Sequence, residues 1–220
     1  MTKNNELFDL LANDSLEELE AAFIQNPLTA EAVNEHGITL LLMAVYTGKK
    51  TASALIMKYK KDLSPWEAAC TGNSAQLNDH LRIDPTIINS PSPDGFSLLG
   101  YACFFRQQEI AKLLIDRGAD INATSKNAMK VAPLHSAAAA AEFTICKLLL
   151  ENGADANAQQ QGGYTPLHAA AQNGQTELVK LLIDFGGDRN LRTDTGETAL
   201  AIAKSKSNNE TALLLENYKI

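Results

Sequence analysis

The sequence predicts an all-α solenoid of about seven stacked helix pairs, degenerate terminal caps included, joined by short β-turn loops. Three observations lead to it. First, Thr165-Pro166-Leu167-His168 recurs 33 residues upstream as Ala132-Pro133-Leu134-His135, and Gly196-Glu197-Thr198-Ala199-Leu200 continues the series at the same interval after Gly163. A fixed period of about 20 to 50 residues marks a repeat architecture. Second, leucine-rich stretches end in the related tails Gly118-Ala119-Asp120-Ile121-Asn122 and Gly153-Ala154-Asp155-Ala156-Asn157. Third, aromatic residues make up only 6% of a chain rich in alanine and leucine, which suits thin helices packed closely.

Taken in order, residues 6–34 form an N-terminal cap pair. Leu7, Leu10 and Leu11 recur at helical spacing, and Asp14 or Ser15 caps a second helix carrying Leu16, Leu19, Ala22 and Phe23, which Pro27 ends. Residues 36–61 form a repeat in which Leu40 takes the proline slot and Leu42 the histidine slot. Its glycine tail is replaced by Lys60-Lys61-Asp62, so the projecting loop that follows is truncated. Residues 62–94 are a degenerate repeat. Ser64-Pro65 starts its first helix, Leu77 and Leu81 mark its second, and Trp66 is read into the histidine slot as a packing residue. Residues 95–129 carry Ser97-Leu98-Leu99-Gly100 in place of the Thr-Pro-Leu-His motif, and the loop after Asp120 is two residues longer than its counterpart after Asp155. Residues 130–162 and 163–195 are the two most regular units, and residues 196–220 are the C-terminal cap repeat. The whole of 1–220 is read as a single domain.

Each slot of the best unit has a physical task. Thr165 accepts from free N–H groups at a helix start, and Pro166 sits where a missing N–H costs nothing. Ala169, Ala170 and Ala171 let helices approach, while Gly174 and Gly186 permit left-handed turns. Leu178, Val179, Leu181 and Leu182 make the buried stripe of the second helix. These motifs, with the glycine tails, closely resemble the ankyrin repeat. The resemblance implies that His135 and His168 tether backbone between turns and are not metal ligands.

Composition narrows the functional classes. With 26 acidic against 19 basic residues, the net charge is −7, and the one basic cluster, Lys58-Tyr59-Lys60-Lys61, is short. An acidic chain repels phosphate backbones, so no nucleic-acid partner is expected. No apolar run reaches the roughly 20 residues that span a bilayer, and the first residues lack the apolar stretch of a signal peptide. No membrane association is therefore expected, and cytoplasmic is the default location. Cys70, Cys103 and Cys146 form no Cys-x-x-Cys pair; Cys103 and Cys146 read as small buried hydrophobes in a reducing compartment. No Gly-x-Ser-x-Gly elbow, phosphate-binding loop or metal-ligand cluster is present. The expectation is a monomeric, non-catalytic chain without cofactor or metal.

The resemblance further implies a protein partner held on the concave face by loop tips and first helices. Carried over slot by slot, that surface comprises Tyr46, Phe96, Phe104, Phe105, Met129, Val131, Gln161, Tyr164, Gln172 and Asn173. The degenerate unit offers Cys70 and Thr71 in the same slots. Phe96, Phe104, Phe105, Met129 and Val131 make neighbouring units apolar where polar residues would suffice, and apolar aromatic surface marks interaction sites. The alternative is that Phe104 or Phe105 turns into the core to compensate for Gly100. A regulatory or inhibitory subunit, or a host-directed effector, would use the same face.

Overall fold

Helix caps and glycine turns cut the chain into short helices that succeed one another in pairs. The structure, a computed structural model, describes residues 3–218. The first pairs are α1 (Lys3–Ala12) with α2 (Leu16–Gln25), α3 (Leu40–Tyr46) with α4 (Lys50–Tyr59), and α5 (Pro65–Thr71) with α6 (Ser74–Ile83). Then come α7 (Leu98–Phe104) with α8 (Gln108–Asp116) and α9 (Pro133–Ala139) with α10 (Phe143–Glu151). The last are α11 (Pro166–Gln172) with α12 (Thr176–Asp184) and α13 (Ala199–Ser205) with α14 (Asn209–Asn217). Among the described residues there is no β-strand, only isolated bridges between Val33 and Thr39 and between Arg192 and Thr198. First helices stack on first helices and second on second, so one continuous apolar core runs from Leu7 to Leu215. No single pair could bury such a face alone.

Five of the first helices start at side-chain caps in the slot that the sequence marks, while α9 starts at Ala132 without one. Thr39, Ser64, Ser97, Thr165 and Thr198 each accept from a backbone N–H inside the first turn. Asp14 and Ser15 give no such cap; Ser15 precedes α2 without a side-chain bond. Gly174 and Gly186 have φ of 67° and 88°, the left-handed turns expected of them. Arg106, Ala141 and Ser207 occupy equivalent helix ends at φ near 60° without being glycine. The buried stripe of α12 consists of Leu178, Val179, Leu182 and Ile183, while Leu181 is only partly buried, which narrows the stripe read from the sequence.

Between pairs the chain projects fingers closed by β-turns. Backbone N–H groups of Gly37, Gly95, Lys130, Gly163 and Gly196 donate to the carbonyls of Asn34, Ser92, Asn127, Gln160 and Thr193. The two extra residues of the long loop lie inside its finger. Ser125 N–H donates to Val131 O across six residues, where Ser92 reaches Phe96 across four. Fingers also bond to each other: Lys126 to Gly95, Gln161 to Met129 and Asp194 to Gly162, each through N–H and carbonyl. No finger turn separates α4 from α5. The neighbouring fingers close over that gap, since a Cβ on Gly37 would lie 3.1 Å from Pro93 Cβ.

The two histidines act between units. His135 and His168 are buried, and each Nδ1 accepts from the N–H of the residue before its helix, Ala132 at 3.4 Å and Thr165 at 3.1 Å. That leaves Nε2 protonated, donating to Tyr164 O at 3.1 Å and Glu197 O at 3.2 Å in the next finger. In the degenerate unit the same position, three residues after the cap, belongs to Glu67; Trp66 falls in the leucine slot, which corrects the sequence alignment. Glu67 is fully buried, accepts from Ser64 N–H at 2.7 Å and from Thr39 Oγ1 at 2.6 Å, and pairs with Lys60 Nζ at 3.1 Å. Lys60 also bonds Glu31. The Glu67 carboxylate thus ties the degenerate unit back to the unit before it, and Lys60 carries the tie on to Glu31 of the cap pair. Such a buried pair is strongly destabilising when one partner is removed, because the other charge is left uncompensated.

Burial holds the pKa values of His135 and His168 below the ordinary imidazole value of 6.5, outweighing the carbonyls that favour the proton. The unfolded chain therefore binds more protons than the folded one as pH falls through that region, so their contribution is complete above pH 6.5 and is lost below it. Urea unfolding at pH 7 and pH 5 is expected to show a fall in stability that His135→Asn/His168→Asn, starting less stable, shows to a smaller extent. An equal fall in both proteins would contradict this role.

Candidate partner-binding cleft

Size exchanges between neighbouring units create an apolar cleft. In the fourth pair, Gly100 stands where the regular unit has His168, Tyr101 where it has Ala169, and Phe104 and Phe105 where it has Gln172 and Asn173. The next unit is small at the facing positions, with Ser136 and Ala139. Large residues on α7 thus face small ones on α9, and a cleft of about 300 Å³ is left between them. Tyr46 closes one side, and Met129 and Val131 from the elongated finger close another. Ala169 and Gln160 complete the far wall.

Six of the expected contact residues therefore converge: Tyr46, Phe96, Phe104, Phe105, Met129 and Val131 line one cleft. Phe104 is 46% exposed and Met129 49% exposed. Phe105 is half-buried, 5.9 Å from Tyr101 in a stacked arrangement and 5.3 Å from Tyr46, while Phe104 meets it edge-on at 5.1 Å. One phenylalanine packs and the other protrudes. Tyr164 lies outside the cleft, half-buried and edge-on to His168 at 5.7 Å. Gln161, Gln172 and Asn173 are exposed but do not line it. Cys70, which the slot alignment offers to the same face, is buried, because α5 keeps the seven residues of α11 and only the turn at Gly72 is one residue shorter, so that Cys70 takes the slot of buried Ala171. The sequence reading passed over Tyr101, His135 and Ser136 as part of this wall; Tyr101 in an alanine slot was the available signal.

A partly buried polar knot supports the aromatic wall. Tyr46 and Tyr101 both donate to the Asp94 carboxylate, Tyr101 at 2.6 Å, and their hydroxyl oxygens lie 2.8 Å apart. Ser92 donates to the same carboxylate, and Asn127 Nδ2 donates to Asp94 O at 2.8 Å. Tyr46 reaches Asp94 across the place where the degenerate unit has no finger. Burial raises both phenols well above the ordinary tyrosine value, with Asp94 adding to it, so both remain donors at neutral pH. The knot fixes the rings, and with them the shape of the cleft.

Chemically the arrangement offers apolar contact and fixed shape. No group of three or more His, Cys, Asp or Glu side chains is placed to hold a metal among the described residues. Nor is any described helix long and apolar enough to cross a membrane.

Comparison with known families agrees with the geometry. A family model of ankyrin repeats, three copies long, matches residues 66–160 and again 134–220, together well over half of the chain. No curated protein matches the chain.

Removing the acceptor of the knot should loosen the wall. Asp94→Ala is expected to cost about 1–3 kcal/mol in urea unfolding, because Tyr101 is left buried without its acceptor, against about 0.5–1.5 kcal/mol for Tyr46→Phe. A loss for Asp94→Ala within the roughly 0.5 kcal/mol typical of surface positions would show that the knot carries no load.

Proposed function

The chain belongs to the ankyrin-repeat family, and we propose that it is a non-catalytic protein–protein interaction module that grips its partner on the concave face at the cleft around Phe104. The supporting observation is that apolar side chains from separate units line one cavity, with Phe104 and Met129 exposed at it. Contiguous exposed apolar surface with aromatic residues is the usual mark of a binding hot spot. Gln161, Tyr164, Gln172 and Asn173 extend the contact surface beyond the cleft in this reading. The chain acts as a monomer, one array in the seven units set out from the sequence. Its three cysteines are free and buried, which suits the reducing cytoplasm as its location.

The test compares exposed aromatics on and off the cleft. Immobilised chain captures partners from a lysate of the source cells, read by quantitative mass spectrometry. Phe104→Ser/Met129→Ser is expected to lower the specific capture about tenfold or more. Phe143→Ser and Phe185→Ser, each of a residue 43% exposed but outside the cleft, are expected to leave it unchanged. Equal effects of both sets would contradict the assignment, with circular dichroism confirming that every variant is folded.

A further inference from the structure

We infer that the cleft is a binding site for a small, neutral aromatic molecule that carries one hydrogen-bonding group. The inference goes beyond the interaction-module reading and concerns the buried lining of the cleft, not the exposed Phe104 and Met129. A volume of about 300 Å³ lies at the small end of ligand-pocket sizes. Ligand sites are mostly apolar, with a few polar groups that fix orientation, and this cleft has both. The rings of Phe96, Tyr101, Phe104 and Phe105 line it, and aromatic side chains gain from packing against another ring.

Its polar lining divides into groups already engaged and groups left over. Tyr46 and Tyr101 give their hydroxyls to Asp94. His135 has one ring nitrogen on Ala132 N–H and the other on Tyr164 O. Ser136 differs. It stands where the regular unit has Ala169, lines the cleft and is 3% exposed. Ser53 and Thr71 return their hydroxyls to the carbonyl four residues back, but among the described residues Ser136 Oγ makes no hydrogen bond at all. Nor is it sealed in, since the enclosed side-chain atoms without a partner are Trp66 Nε1 and Gln175 Oε1. Gln160, partly buried on the same cleft, commits its backbone to the finger turn and leaves its side-chain amide unpaired. A hydroxyl and an amide can each donate or accept, so they suit a polar atom on a ligand.

None of the residues lining the cleft carries a fixed charge. Burial holds His135 below the ordinary imidazole value, and Asp94, behind the two tyrosines, already accepts from three hydroxyls. A charged ligand would leave water without a counter-charge, which is costly. The ligand is therefore neutral.

NMR titration of the isotope-labelled full chain tests this with para-cresol, with toluene, which lacks the hydroxyl, and with para-methylbenzoate, which replaces it by a charge. Para-cresol is expected to shift amide signals of residues 96–106 and 129–136 saturably, and para-methylbenzoate to leave them in place. Ser136→Ala, which installs the residue of the regular slot, should bind para-cresol about tenfold more weakly and toluene within about twofold of the unaltered chain. Ala139→Phe, which fills the cleft from an exposed position, should abolish both. The spectrum of each variant reports that it is folded. Unchanged binding of para-cresol to Ser136→Ala, equally tight binding of para-methylbenzoate, or the lack of saturable shifts at the cleft would overturn the inference. None of these outcomes touches partner capture through Phe104 and Met129. If instead Phe104→Ser/Met129→Ser leaves capture unchanged while para-cresol binds as expected, the interaction-module reading falls and the ligand site stands. N-acetyltyrosine amide binding more than about tenfold tighter than para-cresol would also overturn the inference, because the cleft would then belong to a tyrosine side chain of a protein partner.

Discussion

Each helix pair in this chain buries its apolar side only because the next pair covers it, and that dependence on a neighbour governs everything else. It sets where alanines must stand, since Ala170 and Ala171 lie fully buried between adjacent first helices. It also demands polar ties between units, because the free N–H groups at each helix start need acceptors. The regular units meet that demand with His135 and His168, whose two nitrogens join their own helix start to the next finger. The degenerate unit meets it with Glu67, which turns the tie backward to Thr39 and Lys60. The same slot thus accepts an imidazole facing forward or a carboxylate facing back.

Once stacking is secured by those slots, others are free to differ, and the differences gather in one place. Gly100 gives up the histidine tie, Tyr101 fills an alanine slot, and the missing finger ahead of α5 lets Tyr46 reach Asp94. Finger elongation between Ser125 and Val131 brings Met129 to the same cleft. Together they form a cavity with a fixed aromatic wall, and departures from local consistency of this kind are where function is expected.

Much of the fold was legible because its signals are local and periodic. Caps such as Thr165, glycines such as Gly174 and the leucine stripe of α12 follow from spacing alone. Residues ahead of 66 lie outside both matches to the family, yet Thr39 and the leucines after it were readable as a helix start by the same physical rules. What was not legible depended on direction and register. Spacing placed Leu181 in the stripe without showing that it faces partly outward. The turn after α5 is one residue shorter than the one at Gly174, which set an alignment anchored on the glycines off by one and hid Glu67 in the histidine slot and Cys70 in the slot of buried Ala171. Lys60 read only as a member of a short basic cluster because its partners, Glu31 and Glu67, are remote in sequence. Phe96, Phe104 and Phe105 were named from their slots and Tyr101 was not, and their convergence with Tyr46 follows from the absence of a finger ahead of α5.

The central claim is that these irregular units, and not the regular ones, hold the partner. Hydrogen–deuterium exchange of the full chain with and without a partner captured from the source cells tests it most directly. Protection is expected at residues 96–106 and 126–136, around the cleft, with α12 and α14 unchanged. Protection confined to the regular units around Gln172 and Asn173, with residues 96–106 exchanging as in the free chain, would contradict the account.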